Sequence, residues 1–342
     1  MRRFLCVYAF VAVQAMSFAA TTSVMTAGAT GNGSTDDTAA IQSALNSSAA
    51  GDTITFPAGT YRISSRITMP SNRTLQGQSG AIIKGSIGGA LFQGTYNNAR
   101  NITIDGLTFD GGGILFNGSS TAYPADSIKI THNRFQNIIV AGNYNADAIH
   151  AWTGTTNSQI SFNTFTNIYD ANHVAGWSEV CGAIWLFDPA STVITDNIFD
   201  KTCQAVHVTA RQNNHDLSIL RNTITGTARY NIEIQGPYSI NNVLVNNNYI
   251  AQLQPGINGQ AGISVAVVGT GHQILNNTLL GPNEGHPTNQ SDAIESMGSG
   301  FLIQGNVAGH WGQAQLIGWS DATWSTKNNI WCDMTYPLAT AI

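Results

Sequence analysis

Residues Ile160–Phe165 read ISFNTF, and the same shape, apolar-x-x-Asn-x-apolar, returns along the chain. It is ITHNRF at Ile130, ITDNIF at Ile194, ILRNTI at Ile219, VNNNYI at Val245, ILNNTL at Ile274 and IQGNVA at Ile303. A reduced TKNNI starts at Thr326, and IDGLTF at Ile104 fits with Leu107 in the Asn slot. Successive phrases stand about 22 to 34 residues apart, the length of one solenoid turn with loops of varying size.

A second short strand precedes most of these phrases: GILFN at Gly113, AIHAW at Ala148, AIWLF at Ala183, AVHVT at Ala205, NIEIQ at Asn231, GISVA at Gly262 and AIESM at Ala293. Two to three short strands per turn with no helical period between them predict a coil of parallel strands rather than βαβ units. Equivalent residues then stack about 4.8 Å apart. Asn133, Asn163, Asn197, Asn222, Asn248, Asn277 and Asn306 become a ladder at a tight bend, each amide both donating and accepting between coils. That role is structural.

Only 10% of the 342 residues are charged, with 42% hydrophobic and a net charge of -5. An average soluble domain has about 25% charged residues, so Asn, Thr and Ser carry much of the polarity here. No basic stripe is available to neutralise phosphates, which argues against a nucleic-acid partner. Residues 1–20 read as a secretory signal: Arg2 and Arg3, an apolar run Phe4–Val13, then SFA before Ala20. That run is too short to span a bilayer, and a secreted or periplasmic location without a membrane partner is expected. Export permits a disulfide, with Cys181 and Cys203 the plausible pair. No CxxC or His-x-His spacing points to zinc.

Residues 21–342 are expected to form one domain. Over about residues 27–50, GNGSTDDTAAIQSALNSS offers N-cap residues and then Ile41 and Leu45 at i, i+4. A short helix there would cap the open end of the coil, where strand edges and apolar core are otherwise exposed.

GATGNGSTDDTAAIQSAL followed by GDTITFPAGTYRI resembles the entry segment of right-handed parallel β-helix proteins of the pectate-lyase-like superfamily. The Asn phrase resembles the bend between the second and third strands of their coils. The resemblance implies an all-β, single-stranded, right-handed parallel β-helix with an N-terminal capping helix. It reaches the fold and leaves the reaction open, because lyases, hydrolases, epimerases and phage tailspikes share that fold. It also implies that the sheet containing AIHAW, AVHVT and NIEIQ, with its flanking loops, forms a glycan cleft.

The outward column of that sheet reads Leu115, His150, Trp185, His207, Glu233, Ser264, Glu295 and Ile317. Two residues on it reads Asn117, Trp152, Phe187, Thr209, Gln235, Ala266, Met297 and Trp319. A concentration of His, Glu and aromatic rings is an unusual use of an open face. Trp152, Trp185 and Phe187 are either sugar-stacking platforms or satellite core under the loop 167–182. His150 and His207 are either functional or hydrogen-bonded surface histidines, and Glu233 and Glu295 either functional or solvated strand charges. Asp147 and Asp292 share the slot before the strand, in ADAI and SDAI, and read as turn caps.

His207 and Glu233 lie one coil apart, and Glu295 two coils, roughly 9.6 Å, from Glu233. That approaches the upper end of the carboxylate spacing in inverting glycosidases. Arg211, Arg229 and Tyr230 are expected to converge on the same place, and His150, Trp152, Trp185, Phe187, Arg229, Tyr230 and Gln235 are expected to bind the substrate. The favoured reading is a polysaccharide-cleaving glycoside hydrolase in which Glu233, Glu295, His207 and Arg211 are catalytic. A lyase or uronate epimerase would instead use His207 as base, Tyr230 as acid and an arginine on the substrate carboxylate. A non-catalytic glycan-binding coil would need the aromatic strip alone. No cofactor is expected, and a Ca²⁺ ion would enter only under the lyase reading.

Overall fold

The computed structural model describes residues 19–85, 89–120, 122–140, 147–170, 182–227, 230–251, 260–281, 291–311, 314–319, 323–332 and 339–340. The signal-like residues 1–18, together with Cys181 and Arg229, lie outside the described residues. Three sheets of 14, 12 and 11 strands run the length of the chain. Within a coil the chain passes from the 11-stranded sheet to the 14-stranded and then to the 12-stranded one, as in Ile149–Ala151, Gln159–Ser161 and Thr164–Asp170. Each strand pairs in parallel with its equivalent in the next coil. The fold is the expected parallel β-helix.

The recurring phrase builds two of the three walls. Its final apolar residue faces inward, so Phe109, Phe135, Phe165 and Phe199 stack in succession at 4.9, 5.1 and 4.7 Å between ring centroids. Ile224, Ile250, Leu279 and Ala308 continue that row in register. All eight are fully buried. At the bend, each Asn accepts through Oδ1 from both the backbone N and the Nδ2 of the preceding Asn. Asn163 N and Nδ2, for example, lie 2.9 and 3.0 Å from Asn197 Oδ1. Its own Nδ2 returns a bond to Ile130 O at 2.9 Å. Asn329 of the reduced final phrase joins the ladder, and at the other end Leu107 N donates to Asn133 Oδ1.

The turn needs a left-handed residue just before each Asn, and the chain supplies His132, Phe162, Asp196, Arg221, Asn247 and Asn276, with φ between 52° and 57°. Left-handed backbone crowds any Cβ and suits Asn or Gly best, so Phe162 and Arg221 are costly occupants.

A helix spans Thr38–Ser47, and its Ile41 and Leu45 are fully buried in the core cluster at the N-terminal end. The capping chemistry differs in detail from expectation. Asp37 stands at the N-cap without a side-chain cap bond, because its carboxylate faces back to Thr30 N and Gly31 N. Asp36 caps instead, taking Thr38 N at 3.1 Å. Cys203 is disulfide-bonded.

Candidate active site

The register of the 11-stranded sheet brings the outward column together as the sequence predicts. His150 pairs with Trp185, Trp185 with His207, His207 with Glu233, Glu233 with Ser264 and Ser264 with Glu295. Leu115 and Ile317 close the column at its two ends.

The expectation of an open strip is corrected. His207 keeps 1% of its surface, Glu233 6% and Glu295 8%, while His150, Trp185 and Phe187 are also buried. Trp152, Arg211, Tyr230 and Gln235 are half-buried. Alternation gives the face a side chain takes, but not its exposure, and here the side chains of the column pack against one another. Ionisable groups placed there must be hydrogen-bonded or neutral.

The partners come from one slot. Three residues before His150, His207 and Glu295 stand Asp147, Gln204 and Asp292, in DAIH, QAVH and DAIE. His150 Nδ1 lies 2.6 Å from Asp147 Oδ2, within hydrogen-bonding distance. His207 Nδ1 lies 2.8 Å from Gln204 Oε1, which fixes the proton on Nδ1. Gln204 Nε2 then donates to Glu233 Oε2 at 2.7 Å, so the direct His207–Glu233 separation is 3.7 Å. His207 Nε2 accepts from Gln235 Nε2 at 3.0 Å and from Thr209 Oγ1 at 3.2 Å. Gln204 was not singled out from the sequence, and Asp147 and Asp292 were read only as turn caps. Asp147 accepts from Gly182 N of the next coil at 2.8 Å and lies 2.6 Å from His150, which it orients. The shared offset x-Ala-Ile/Val-His/Glu was the signal available.

Burial, then the neighbouring Asp292 carboxyl, pushes Glu295 up to about 8. Ser264 opposes the shift by hydrogen bonding, and Glu233 adds to it through its charge. Burial and the adjacent acid thus favour the protonated form of Glu295. Burial also raises Asp147 above the usual carboxylate range, against the pull of His150.

The aromatic residues form a packed stack. His150 lies 4.6 Å from the Trp152 ring and 5.0 Å from Trp185, and Trp185 lies 4.8 Å from His207. Phe187 packs 4.9 Å from Trp152. Arg211 departs from the expected convergence on Glu233. Its guanidinium sits 4.0 Å above the Phe187 ring, with Nε 3.5 Å from Asp188 Oδ2 and a hydrogen bond to the Trp152 carbonyl. Tyr230 stands two residues before the Glu233 strand, Ile232–Gln235, and Arg229 lies outside the described residues. Among the described residues no group of three or more His, Cys, Asp or Glu is arranged to hold a metal ion.

A β-helix whose polar column carries acids, imidazoles and aromatic rings is matched over residues 21–278 by the family model described as rhamnogalacturonase A/epimerase, pectate lyase-like. The chain belongs to this family. No curated protein matches it. Among solved structures it is similar to the A-module of Azotobacter vinelandii mannuronan C-5 epimerase AlgE4, at 16% identity and TM-score 0.58, over 94% of this chain and 99% of that one. It is similar to the Yersinia enterocolitica family 28 exopolygalacturonase, at 11% identity and TM-score 0.56, over 94% and 77%. The Streptococcus pneumoniae surface adhesin PfbA follows at 12% identity and TM-score 0.62, over 93% and 99%. At such identities the likeness is one of fold, and membership of the rhamnogalacturonase A/epimerase family places the chain among carbohydrate-active β-helices.

Proposed function

We propose that this family member is a secreted glycoside hydrolase that cleaves a polysaccharide along the 11-stranded sheet. The observation that carries the reading is the difference between two acids on one column. Glu295 is held protonated beside Asp292, whereas Glu233, two rungs away, accepts a hydrogen bond from Gln204. A buried carboxyl raised above its ordinary range suits a general acid, and a carboxylate aimed by a hydrogen bond suits a base. Glu295 gives its proton to the departing glycosidic oxygen. Glu233 takes a proton from the water that attacks the anomeric carbon from the opposite side. Two rungs are about 9.6 Å of backbone, close to the spacing that leaves room for that water and inverts the configuration. No cofactor is needed for either step. Export follows from the Arg2–Arg3 and Phe4–Val13 pattern at the N-terminus.

One observation favours a lyase or epimerase instead. With Nδ1 protonated, the basic lone pair of His207 lies on Nε2, and a substrate that displaced the Gln235 and Thr209 donors could give it a proton from carbon. The placement of Arg211 against Asp188 weighs the other way, since that arginine is already paired with an acid rather than aimed at a substrate carboxylate.

The test is product analysis on a panel of neutral and uronic polysaccharides. New reducing ends without an unsaturated uronyl chromophore are expected. The chromophore would establish a lyase, and a changed C5 configuration without chain cleavage an epimerase. Binding without any product would leave the adhesive reading. Full activity in Glu233→Gln would remove Glu233 from the chemistry.

A further inference from the structure

A cavity of about 580 Å³ opens beside the catalytic column, bordered by Asn117, Ser119, Trp152, Thr153 and Arg211. Asn117, Trp152 and Arg211 all follow the C-terminal ends of strands in the 11-stranded sheet, Gly113–Phe116, Ile149–Ala151 and Val206–Thr209. The cavity therefore lies along one edge of the sheet, towards the N-terminal coils from the Glu233 and Glu295 rungs. Its volume is ordinary for a small-molecule site.

We propose that this cavity is a binding subsite for a neutral, hydroxyl-rich sugar ring, and that Asp188 sets its preference against acidic sugars. The indole of Trp152 is held rigid by stacking on His150 and Phe187. A rigid aromatic surface is suited to the C–H face of a pyranose. The other side chains on the wall are an amide and hydroxyls, which both donate and accept.

Among the described residues Arg211 is the one cation bordering the cavity, and an acid already answers its charge. The buried Asp188 carboxylate lies 3.5 Å from its Nε and takes its backbone N at 2.5 Å and that of Gln212 at 3.0 Å. Phe187 covers one face of the guanidinium, and the Trp152 carbonyl occupies one of its donors. Arg211 is left as a fixed planar donor to sugar hydroxyls without a net positive field. A carboxylate entering the cavity would meet a compensated ion pair, and desolvating it there would go unrewarded. Asp188 holds φ at 46°, a conformation that Asn also tolerates, so the charge can be removed without losing the turn.

The proposal rests on the glycan reading for its class of ligand, but the cavity contains neither Glu233 nor Glu295, so the two can fail separately. The experiment is calorimetric titration of the full chain with tetrasaccharides of galactose, glucose or mannose and with tetragalacturonate. At least one neutral tetrasaccharide is expected to bind more tightly than tetragalacturonate. Trp152→Ala should weaken it by about tenfold or more, whereas Trp152→Phe, which keeps an aromatic face, should stay close to the unmodified protein. Asp188→Asn, checked for native melting, should shift the preference towards tetragalacturonate by roughly tenfold. Tighter binding of tetragalacturonate by the unmodified protein overturns the proposal. So does the absence of any neutral binding that depends on Trp152, or a preference unmoved in folded Asp188→Asn. Absence of product from every polysaccharide would instead overturn the hydrolase and leave the subsite standing.

Discussion

Gln204 Nε2 lies 2.7 Å from Glu233 Oε2, while the same amide offers Oε1 to His207 Nδ1 at 2.8 Å. One neutral side chain thereby orients both members of the central pair, holding the imidazole in one tautomer and the carboxylate in one rotamer. Gln204→Met keeps the volume and removes both bonds. We expect kcat to fall by up to about 100-fold with KM little changed, because the loss is one of positioning. The pH profile should also broaden as His207 becomes free to change tautomer. An unchanged kcat and pH profile would make Gln204 packing alone.

Glu295 is expected to set the alkaline limb of activity. Its carboxyl is raised to about 8, so the acid is lost as pH rises through that value, and kcat should fall there. Stability follows the same group. Between pH 4.5 and about 8 the folded chain keeps a proton that the unfolded chain releases, so stability declines as pH rises across that window. Glu295→Gln retains a donor towards Asp292 but cannot ionise. It should lose activity at all pH values and flatten the decline. Urea midpoints at pH 5, 7 and 9 for both proteins check the second point, and an equal slope in the variant would refute it.

The difference between what could and could not be read from the residues has a physical source. The Asn phrase fixes backbone geometry locally, since an apolar-x-x-Asn-x-apolar run can bury its ends and bond its amide to the next coil in only one register. The ladder and the column from His150 to Glu295 were therefore legible. Periodicity cannot reveal what covers a face, and so the burial of Glu233 and Glu295 was not. Gln204 escaped attention because an amide carries no charge signal, although its slot matches those of Asp147 and Asp292. Arg211 was misplaced because the chain turns after Thr209. Asp188, one coil back, draws the guanidinium over Phe187 and away from Glu233.

His272 gives a second, opposite pH dependence. Its buried ring is tilted against Phe301 at 4.7 Å, and neither ring nitrogen has a hydrogen-bond partner among the described residues. Burial lowers it to about 4. From pH 6.5 down to about 4 the unfolded chain takes up a proton that the folded chain refuses, so this group's contribution to stability is lost as pH falls through that range. His272→Phe preserves the ring contact and removes the titration. Its melting temperature should fall less than that of the unmodified protein between pH 7 and 4.5. Parallel loss in both would assign the acid sensitivity to other groups.

The bend beside the Asn ladder offers the clearest separation of stability from function. Asn197 Oδ1 satisfies the backbone N and Nδ2 of Asn163, and its Nδ2 reaches Ile160 O at 2.9 Å. Asn197→Ala would strand these buried groups and should cost about 2–3 kcal/mol. One residue before the ladder, Phe162 holds a left-handed φ of 57° and is 53% exposed, so it bears the Cβ crowding while burying little. Phe162→Asn should raise stability by about 1 kcal/mol, offset in part by the lost stacking on His132 at 5.2 Å. Urea midpoints measure both changes. Since this bend is remote from the 11-stranded sheet, neither substitution should alter kcat in folded protein at 25 °C, and a change in kcat would show that the coils transmit strain across the helix.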